Sequence, residues 1–413
     1  MLTRRTCLTA GPAALLATGL GTEPHAAEPF DPASPLPHKE AFAPFASTYL
    51  NSASQHPLSI DATAAAHRYL QYKSFSTSSD YSNGATYLRV LEKFAQLIGA
   101  DNDEVCYVQS TTVGENLLLK ALGLPARGAR LVTDELHYVG SLPTYRQLAD
   151  AGTEVVTARA DPDGRIDLDQ FEKAINRDTR LVTVSLVSMV NGFQHDLTEL
   201  CRIAHAQGAL VYADIVQAVG SVPFDVRESG VDACATASYK WLMGEQGLGF
   251  LYVRRDRLEQ MERPWYGHYQ LEKRVDLGFP NPERLDSVTE FSHVEGARGY
   301  FAMGSQANVV AAVLDSSLSY LQSVGPERIA AHRQPLIDRL QDVMPSLGYR
   351  ALTPRGSVSA LVSFRHDGNT AELRERLAAA NIVATVARHH LRISLSVFND
   401  SEDVERLLDA LRG

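Results

Sequence analysis

A lysine and an aspartate carry the clearest chemical signal in this sequence. Lys240 follows the apolar run Asp232–Ala237 and precedes a glycine-rich turn, while Asp214 ends the apolar run before it. A lysine amine can hold an aldehyde cofactor as an imine, and a carboxylate can keep a pyridine nitrogen protonated by charge pairing. This combination suits pyridoxal 5'-phosphate (PLP), with Lys240 and Asp214 as the catalytic residues.

Three more side chains near this pair are candidates for cofactor binding. The Gln217 amide is placed to donate to the phenolic oxygen of PLP, and the hydroxyls of Ser238 and Tyr239 are candidates for contacts with its phosphate. Each residue alone is weak evidence, since a single lysine after a strand is usually a surface charge. The combined pattern reverses that expectation.

The spacing of these residues resembles one known family. Asp-x-x-Gln begins at Asp214, Lys240 comes 26 residues later within Ser-Tyr-Lys-Trp, and Gly244, Gly247 and Gly249 follow. This arrangement resembles the class V aminotransferases, fold type I PLP enzymes that include cysteine desulfurases, kynureninase and isopenicillin N epimerase-like proteins. The resemblance implies an α/β fold with a mainly parallel seven-stranded sheet flanked by helices and a smaller α+β C-terminal domain. It also implies a homodimer with shared active sites.

The resemblance extends to residues around the cofactor. Within Gln109–Asn116, Ser110, Thr111 and Thr112 correspond to the turn that holds the cofactor phosphate through hydroxyls and helix N-terminal amides. An ordinary N-cap explains one of these hydroxyls but not three in a row. His137 aligns with the aromatic residue that stacks on the cofactor ring, and a surface loop histidine is the alternative.

Other matching positions concern the substrate and the partner subunit. Arg392 matches the arginine that binds the substrate α-carboxylate, a group that suits the planar guanidinium fork. Arg388 is an alternative for this role, and pairing of either arginine with nearby acidic residues is another. Ser305 corresponds to a hydroxyl that reaches the cofactor phosphate in the partner subunit. The segment Asn51–Ser54 resembles the arm that touches the substrate, with Asn51 and Ser52 as the candidate substrate-binding residues.

Two departures from the family pattern bear on the reaction. Met189 aligns where many members carry an asparagine over the cofactor oxygen, with Ser188 and Asn191 nearby as alternatives. No cysteine lies between Val383 and Arg392, where a desulfurase needs a thiolate to attack sulfur. The sequence therefore disfavours sulfur mobilisation.

Composition and charge are those of an ordinary globular protein. The 413 residues are 45% hydrophobic and 21% charged, and the net charge of −10 argues against a nucleic-acid partner. Cys106, Cys201 and Cys234 lie in apolar segments and are expected to be core thiols. The adjacent His389 and His390 do not predict a metal site, because neighbouring side chains on an extended chain point to opposite faces.

The N-terminus resembles a twin-arginine export leader. Arg4 and Arg5 precede a weakly apolar stretch, Ala10–Leu20, and then Pro24–Ala27. The stretch is shorter than the roughly 20 apolar residues that span a membrane. We therefore expect a periplasmic protein without stable membrane insertion once residues 1–27 are removed, and a disordered cytosolic tail is the alternative.

Apolar runs alternate with helical patterns from residue 104 to 253, which predicts a parallel sheet with ligands at the carboxyl ends of its strands. We expect an N-terminal arm (28–60), a large PLP-binding domain (61–290) and a small C-terminal domain (291–413). The seven predicted strands are Glu104–Val108, Arg130–Thr133, Glu154–Ala158, Arg180–Val187, Ala209–Ala213, Asp232–Ala237 and Leu248–Val253.

The predicted reaction begins with an amino acid bound to PLP as an external aldimine, from which neutral Lys240 removes the α-proton. Epimerisation, transamination and loss of a β-group all remain open at that point. The overall pattern resembles isopenicillin N epimerase-like proteins, and the leader resembles the exported PvdN-type enzymes that tailor pyoverdine siderophores. We therefore expect a periplasmic tailoring enzyme of aminotransferase or epimerase type, acting on an amino acid or peptide. A C–S or other β-lyase is one alternative, and a non-catalytic PLP-fold sensor or scaffold is another.

Overall fold

The structure describes three stretches of the chain. The computed structural model describes residues 31–75, 81–273 and 291–412. The predicted leader, residues 1–27, lies outside the described residues. The predicted domain boundary after residue 290 falls at the end of another such gap and stays a prediction. Within the three described stretches, no helix is both long and apolar enough to cross a bilayer.

The helices and strands are numbered in chain order. The strands are β1 (Thr48–Tyr49), β2 (Val105–Val108), β3 (Arg130–Asp134), β4 (Glu154–Ala158), β5 (Thr179–Ser185), β6 (Leu210–Asp214), β7 (Ala233–Ala237), β8 (Gly249–Val253), β9 (Leu271–Lys273), β10 (Ser292–His293), β11 (Arg350–Ala351), β12 (Leu361–Arg365), β13 (Ile382–Val383), β14 (Thr385–Ala387) and β15 (His390–Ser394). The helices are α1 (Ile60–Phe75), α2 (Asn83–Leu97), α3 (Thr111–Ala121), α4 (Leu142–Asp150), α5 (Leu168–Ala174), α6 (Leu197–His205), α7 (Val226–Ser229), α8 (Ala297–Phe301), α9 (Asn308–Val324), α10 (Pro326–Val343), α11 (Thr370–Ala379) and α12 (Ser401–Arg412).

The central sheet has seven strands in the order β2-β8-β7-β6-β5-β3-β4. Neighbouring strands are parallel except at β8, which runs antiparallel to β2 and β7. Every residue of β6 and β7 is buried, which explains why these strands are continuous apolar runs in the sequence. The expected fold is confirmed, and all seven predicted strands are present with ends that differ by at most two residues.

The helix α3 begins directly beside the strand β7. Ser110 is its N-cap, and the Ser110 hydroxyl accepts a hydrogen bond from the Val113 backbone N–H at 3.2 Å. A Cβ atom on Gly114 would lie only 3.0 Å from the Cβ of Ala235 in β7, so glycine allows the helix to approach the sheet closely. This contact fixes the N-terminus of α3 near the carboxyl end of β7.

A second sheet is formed by the C-terminal part of the chain. Its four antiparallel strands have the order β11-β12-β15-β14. The core on this sheet includes Phe364 and Ile393, with Leu336 from α10, Leu377 from α11 and Leu407 from α12. This is the smaller α+β unit implied by the family resemblance.

The N-terminal arm joins this second sheet before the chain continues into α1. Strand β1 pairs in parallel with β13, so that Tyr49 lies opposite Val383. Leu50 belongs to the core of the C-terminal unit, and Asn51 bridges to Ser394 of β15. This bridge to β15 holds the arm near the carboxyl ends of the central strands, because Arg392 of β15 lines the same cavity as Asp214 at the end of β6.

Candidate active site

A cavity of about 310 Å³ lies at the carboxyl ends of β6 and β7. Asp214 and Lys240 line it from the central sheet, and Thr111 lines it from the start of α3. Arg392 from β15 and Ser54 from the N-terminal arm complete it. The cavity therefore lies where parallel α/β sheets bind ligands, and it gathers residues that are far apart in the chain.

Lys240 is a buried amine in this cavity. It follows β7 in a tight turn in which the Met243 backbone N–H donates to the Lys240 carbonyl at 2.8 Å. The side chain is largely buried, and burial lowers the pKa of Lys240 to about 8, while the charge of Asp214 opposes this shift and that of Arg392 adds to it. A pKa near 8 makes the neutral amine available close to neutral pH, as a nucleophile or general base requires.

Asp214 is the carboxylate of the site and is only 2% exposed. Its Oδ1 accepts a hydrogen bond from the Val216 backbone N–H at 2.9 Å. Burial raises the pKa of Asp214, whereas the positive charges of His137 and Lys240 and this hydrogen bond favour the carboxylate. Asp214 can therefore present a negative charge to a cationic ring nitrogen inside the cavity.

The three hydroxyl residues before and within α3 all line the cavity. Ser110 uses its oxygen to cap the helix. Thr111 has a buried hydroxyl oxygen with no hydrogen-bond partner among the described residues, and Thr112 is exposed. The backbone N–H groups at the start of α3, together with the free Thr111 hydroxyl, form a site suited to a phosphate dianion.

Arg392 is held in place by neutral oxygen atoms. Its Nη1 donates to the Met189 carbonyl at 3.0 Å, and its Nη2 donates to the Ser54 hydroxyl at 2.7 Å. Asn51 supports this arrangement, because its Oδ1 accepts hydrogen bonds from the hydroxyls of Ser54 at 2.9 Å and of Thr385 at 2.7 Å. The guanidinium faces the cavity without a carboxylate partner among the described residues.

Two of the predicted cofactor ligands have protein partners instead of facing the cavity. Gln217 donates through Nε2 to the Ala53 carbonyl at 3.0 Å and accepts through Oε1 from the Trp241 indole at 2.8 Å. The Ser238 hydroxyl donates to the Glu245 carbonyl at 2.5 Å. Gln217 and Ser238 therefore brace the segments that carry Lys240, whereas the predicted ligand Tyr239 does line the cavity.

His137, the residue predicted to stack on the cofactor ring, and its neighbour Tyr138 differ in their exposure to the cavity. His137 has no exposed surface, and its Nδ1 lies 2.9 Å from the Ser185 hydroxyl. Tyr138, the next residue in the chain, lines the cavity. The structure thus places the imidazole behind the cavity wall and the phenol at its surface.

The remaining predicted residues are divided between the cavity and its surroundings. Met189 lines the cavity, while Ser188 donates to the Leu136 carbonyl and Asn191 donates to the Gly164 carbonyl. Ser52 is buried and, like Asn51, does not line the cavity. Ser305 lines a separate cavity of about 450 Å³ together with Tyr87, Tyr269 and Arg298.

No thiol reaches the candidate site within the described stretches. Cys106, Cys201 and Cys234 are all free and buried, and none of them lines the cavity. Burial raises the pKa of each of these thiols. In the same stretches, no group of three or more His, Cys, Asp or Glu side chains is arranged to hold a metal ion.

Sequence reasoning did not single out several residues that form the site. Tyr138 lines the cavity and Thr385 contacts Arg392, but a polar residue outside a clear motif gives no signal of what it will face. Glu115 is different, because a carboxylate between Gly114 and the leucines of α3 lies on the buried face of that helix. A charged residue at a buried helix position is rare unless it is paired, so the sequence pattern around Glu115 could have indicated a functional or paired carboxylate.

The residues around the cavity fit PLP. The free, buried Thr111 hydroxyl at the N-terminus of α3 matches a phosphate group, and Asp214 and Lys240 meet in the same cavity. Lys240 would hold the cofactor covalently, Asp214 would pair with its ring nitrogen, and Ser110, Thr111 and Thr112 would hold its phosphate. When bound, PLP supplies an electron sink for a carbanion at the α-carbon of an amino acid.

Known proteins share this architecture. A cysteine desulfurase from Haloferax volcanii is 29% identical over 342 residues, which cover 78% of this chain and 77% of that protein. The cysteine desulfurase CsdA from Escherichia coli has a TM-score of 0.79 at 22% identity, covering 92% of this chain and 98% of that chain. The cystine C–S lyase C-DES, solved with its reaction product cysteine persulfide, has a TM-score of 0.76 at 19% identity, covering 89% and 97%. At these identities, the two structures show the fold alone.

The fold and the cavity together define a PLP-dependent enzyme of fold type I. The chain belongs to the aminotransferase class V family, whose model matches residues 49–407. The expected class V enzyme and its PLP cofactor are therefore confirmed. The relatives named above are desulfurases and a C–S lyase, not isopenicillin N epimerases or siderophore-tailoring enzymes.

Proposed function

We propose that this protein is a PLP-dependent lyase that breaks the Cβ–S bond of a free amino acid carrying sulfur at its β-carbon. This was the β-lyase alternative of the sequence analysis. The curated relatives support it over tailoring of aminotransferase or epimerase type, because a cysteine desulfurase from Haloferax volcanii and a probable one from Methanothermobacter thermautotrophicus both act on a sulfur amino acid by name.

The observation that carries the proposal is the buried, unpaired charge of Arg392. Burial lowers the pKa of Arg392, and its described partners are a carbonyl and two hydroxyl groups. A buried cation is costly without an anion, and its Nε has no hydrogen-bond partner among the described residues. The α-carboxylate of a free amino acid would supply the missing anion in the cavity that also contains Lys240.

The size of the cavity favours a small substrate. Its volume of about 310 Å³ is near the lower end of the roughly 300–1,000 Å³ that small-molecule sites occupy. PLP itself would fill much of this space. A free amino acid is therefore a better match than the terminal residue of a peptide, whose amide neighbours would have to share the same cavity with the cofactor.

The absence of a thiol from the described part of the cavity favours elimination over attack on sulfur. In our proposal, Nζ of Lys240 accepts the α-proton, the Cβ–S bond breaks, and its electron pair leaves with the sulfur. One water molecule then hydrolyses the remaining three-carbon fragment to pyruvate and ammonia. Cystine would yield cysteine persulfide, and cysteine would yield hydrogen sulfide.

The test is product analysis of the PLP-loaded protein with cystine, cysteine, alanine and glutamate, before and after alkylation of accessible thiols. We expect pyruvate and ammonia in equal amounts from the sulfur amino acids, with no loss of activity on alkylation. Alanine formation that alkylation abolishes would show a thiolate-dependent desulfurase and overturn the proposal. A keto acid that retains the substrate side chain would show transamination.

We also propose that the active site is completed in a homodimer. Ser305 lies outside the cavity that contains Lys240 and lines a second cavity of about 450 Å³. A partner subunit that brought its own Ser305 to the phosphate end of the first cavity would explain this location. Sedimentation of the PLP-loaded protein tests the dimer, and a monomer with full activity would contradict it.

Export to the periplasm remains a proposal that rests on Arg4 and Arg5 at the predicted leader. Fractionation of cells that express the full chain, with an Arg4→Lys, Arg5→Lys variant as control, tests it. Retention of the wild-type protein in the cytosol would argue against export. The siderophore-tailoring hypothesis requires both export to the periplasm and turnover of a peptide substrate.

A further inference from the structure

A buried carboxylate lies beside the cavity and has no role in the site described so far. Glu115 is on α3, one turn after Thr111, and is 3% exposed. Its Oε2 accepts a hydrogen bond from the Ser141 hydroxyl at 2.5 Å, and its Oε1 accepts one from the Tyr145 hydroxyl. His137 Nε2 lies 3.6 Å from the same Oε1 and 2.8 Å from the Tyr145 oxygen. A buried carboxylate requires such compensation.

The directions of these hydrogen bonds show that Nε2 of His137 carries a hydrogen. Tyr145 has a single hydroxyl hydrogen, and an ionised carboxylate can only accept, so the hydroxyl donates to Glu115. The Tyr145 oxygen is then left to accept from His137 Nε2, which must carry a hydrogen. The two rings are 5.7 Å apart with planes only 6° from parallel, and this stacking holds the imidazole in one orientation.

We propose that Glu115 is a positioning residue of the cofactor site, which acts through Tyr145 to hold His137 as a cation and thereby keeps Asp214 ionised. The series Glu115, His137, Asp214 and Lys240 then has alternating negative and positive charges. This proposal rests on the PLP site alone and is independent of the lyase reaction proposed above.

The electrostatics of the cluster agree with this geometry. Burial lowers the pKa of His137, but Glu115 is the largest influence in the other direction, the charges of Asp214 and Asp134 add to it, and the pKa is raised as a result. Burial also raises the pKa of Asp214, and the charge of His137 is the largest influence that opposes this rise. Removal of the negative charge on Glu115 should therefore leave His137 neutral and make Asp214 easier to protonate.

Other titratable groups near His137 do not replace Glu115. Asp134, at the end of β3, lies 3.2 Å from His195 and is shared with that histidine. Tyr145 on α4 and Tyr212 on β6 are buried, which raises the pKa of each phenol and keeps it neutral. Asp214 is the group on which His137 acts, and the amine of Lys240 cannot supply a negative charge. Ser185 is neutral.

The decisive variant is Glu115→Gln, which keeps the size of the side chain and an acceptor for Tyr145 but removes the charge. The first measurement is nitrogen NMR of histidine-labelled, PLP-loaded full chain, with the His137 signal assigned from a His137→Gln sample. We expect a cationic imidazole at pH 7 in the wild type and a neutral ring protonated at Nε2 in the variant. The second measurement is the dissociation constant of PLP, which we expect to rise about tenfold, as a change of one pKa unit in a paired group produces.

The matched control is Glu104→Gln, because Glu104 is also a buried glutamate but is paired with Arg227, away from the cavity. This control should lose stability without altering the charge of His137 or the affinity for PLP. A cationic His137 in Glu115→Gln, or a change in PLP affinity no larger than in the control, would overturn the proposal. If Glu115→Gln does not fold, Tyr145→Phe removes the connecting hydroxyl, keeps the stacked ring and is judged by the same two measurements.

Discussion

Asp214 and Lys240 reach one cavity from two neighbouring parallel strands. Asp214 ends β6 opposite Ala235 of β7, and Lys240 lies five residues beyond Ala235. Because β6 and β7 are parallel, their carboxyl ends meet at the same edge of the sheet. Although 26 residues separate them in the sequence, the Lys240 amine and the Asp214 carboxylate therefore line the same cavity.

The first prediction concerns Lys240→Ala. This variant should lose the visible absorbance of covalently held PLP and all turnover, because no other lysine lines the cavity within the described residues. Its far-UV circular dichroism should match that of the wild type, since the change shortens one side chain at the cavity surface. Absorbance spectra after dialysis provide the measurement. Lys173→Ala on the exposed face of α5 is the control and should keep the absorbance.

The second prediction concerns Asp214→Asn, which keeps an acceptor for the Val216 backbone N–H but removes the charge. The dissociation constant for PLP should rise by about 10- to 100-fold, as expected for loss of a charge-assisted hydrogen bond. Asp232→Asn is a matched control, because Asp232 is also buried, its Oδ2 accepts a hydrogen bond from the Val211 backbone N–H at 2.8 Å, and it does not line the cavity. Equal weakening in both variants, measured by equilibrium dialysis, would contradict the role of Asp214.

Local patterns in the sequence were sufficient to predict the central sheet. Strands buried on both faces, such as β6 and β7, are continuous apolar runs, and such runs identify strands without reference to the rest of the chain. The pairing of β1 with β13 left no comparable signal. It joins Tyr49 to Val383 through two residues on each side, and nothing in either short segment specifies a partner more than 300 residues away.

The shared location of Lys240 and Asp214 in one cavity was predictable, because the chemistry of each side chain singled it out in the sequence. The positions of Gln217 and His137 depended instead on what packs around them. The Gln217 side chain donates a hydrogen bond to the Ala53 carbonyl and accepts one from the Trp241 indole. Such long-range hydrogen bonds follow from tertiary packing, so the sequence alone could not show that this amide turns away from the cavity.

The third prediction concerns substrate binding by Arg392. In Arg392→Met, the KM for a sulfur amino acid should rise about 100-fold, because the α-carboxylate loses a charge-assisted partner. The PLP absorbance should be retained, since no cofactor contact is assigned to this side chain. Arg388→Met is the control, because Arg388 is exposed and does not line the cavity. An unchanged KM in Arg392→Met, or an equal increase in the control, would assign the carboxylate to another residue.

The last prediction follows from the cost of burying the Lys240 amine in the cofactor-free protein. Burial lowers the pKa of Lys240 from 10.5 in the unfolded chain to about 8 in the folded state. Between these two pH values the unfolded chain binds more protons than the folded protein, so stability rises with pH across this window. Below pH 8 the amine is charged in both states, and the folded protein bears the full cost, about 3 kcal/mol.

Lys240→Met removes this titration while nearly preserving the volume of the side chain. Cofactor-free Lys240→Met should therefore have a free energy of unfolding about 1 to 3 kcal/mol larger than that of the cofactor-free wild type at pH 7. The difference should shrink as the pH rises from 8 to 10.5, because wild-type Lys240 becomes neutral in the folded protein. Urea denaturation of both proteins at several pH values measures it, and groups common to the two proteins cancel. A difference that does not change with pH would show that it comes from packing and not from the buried charge.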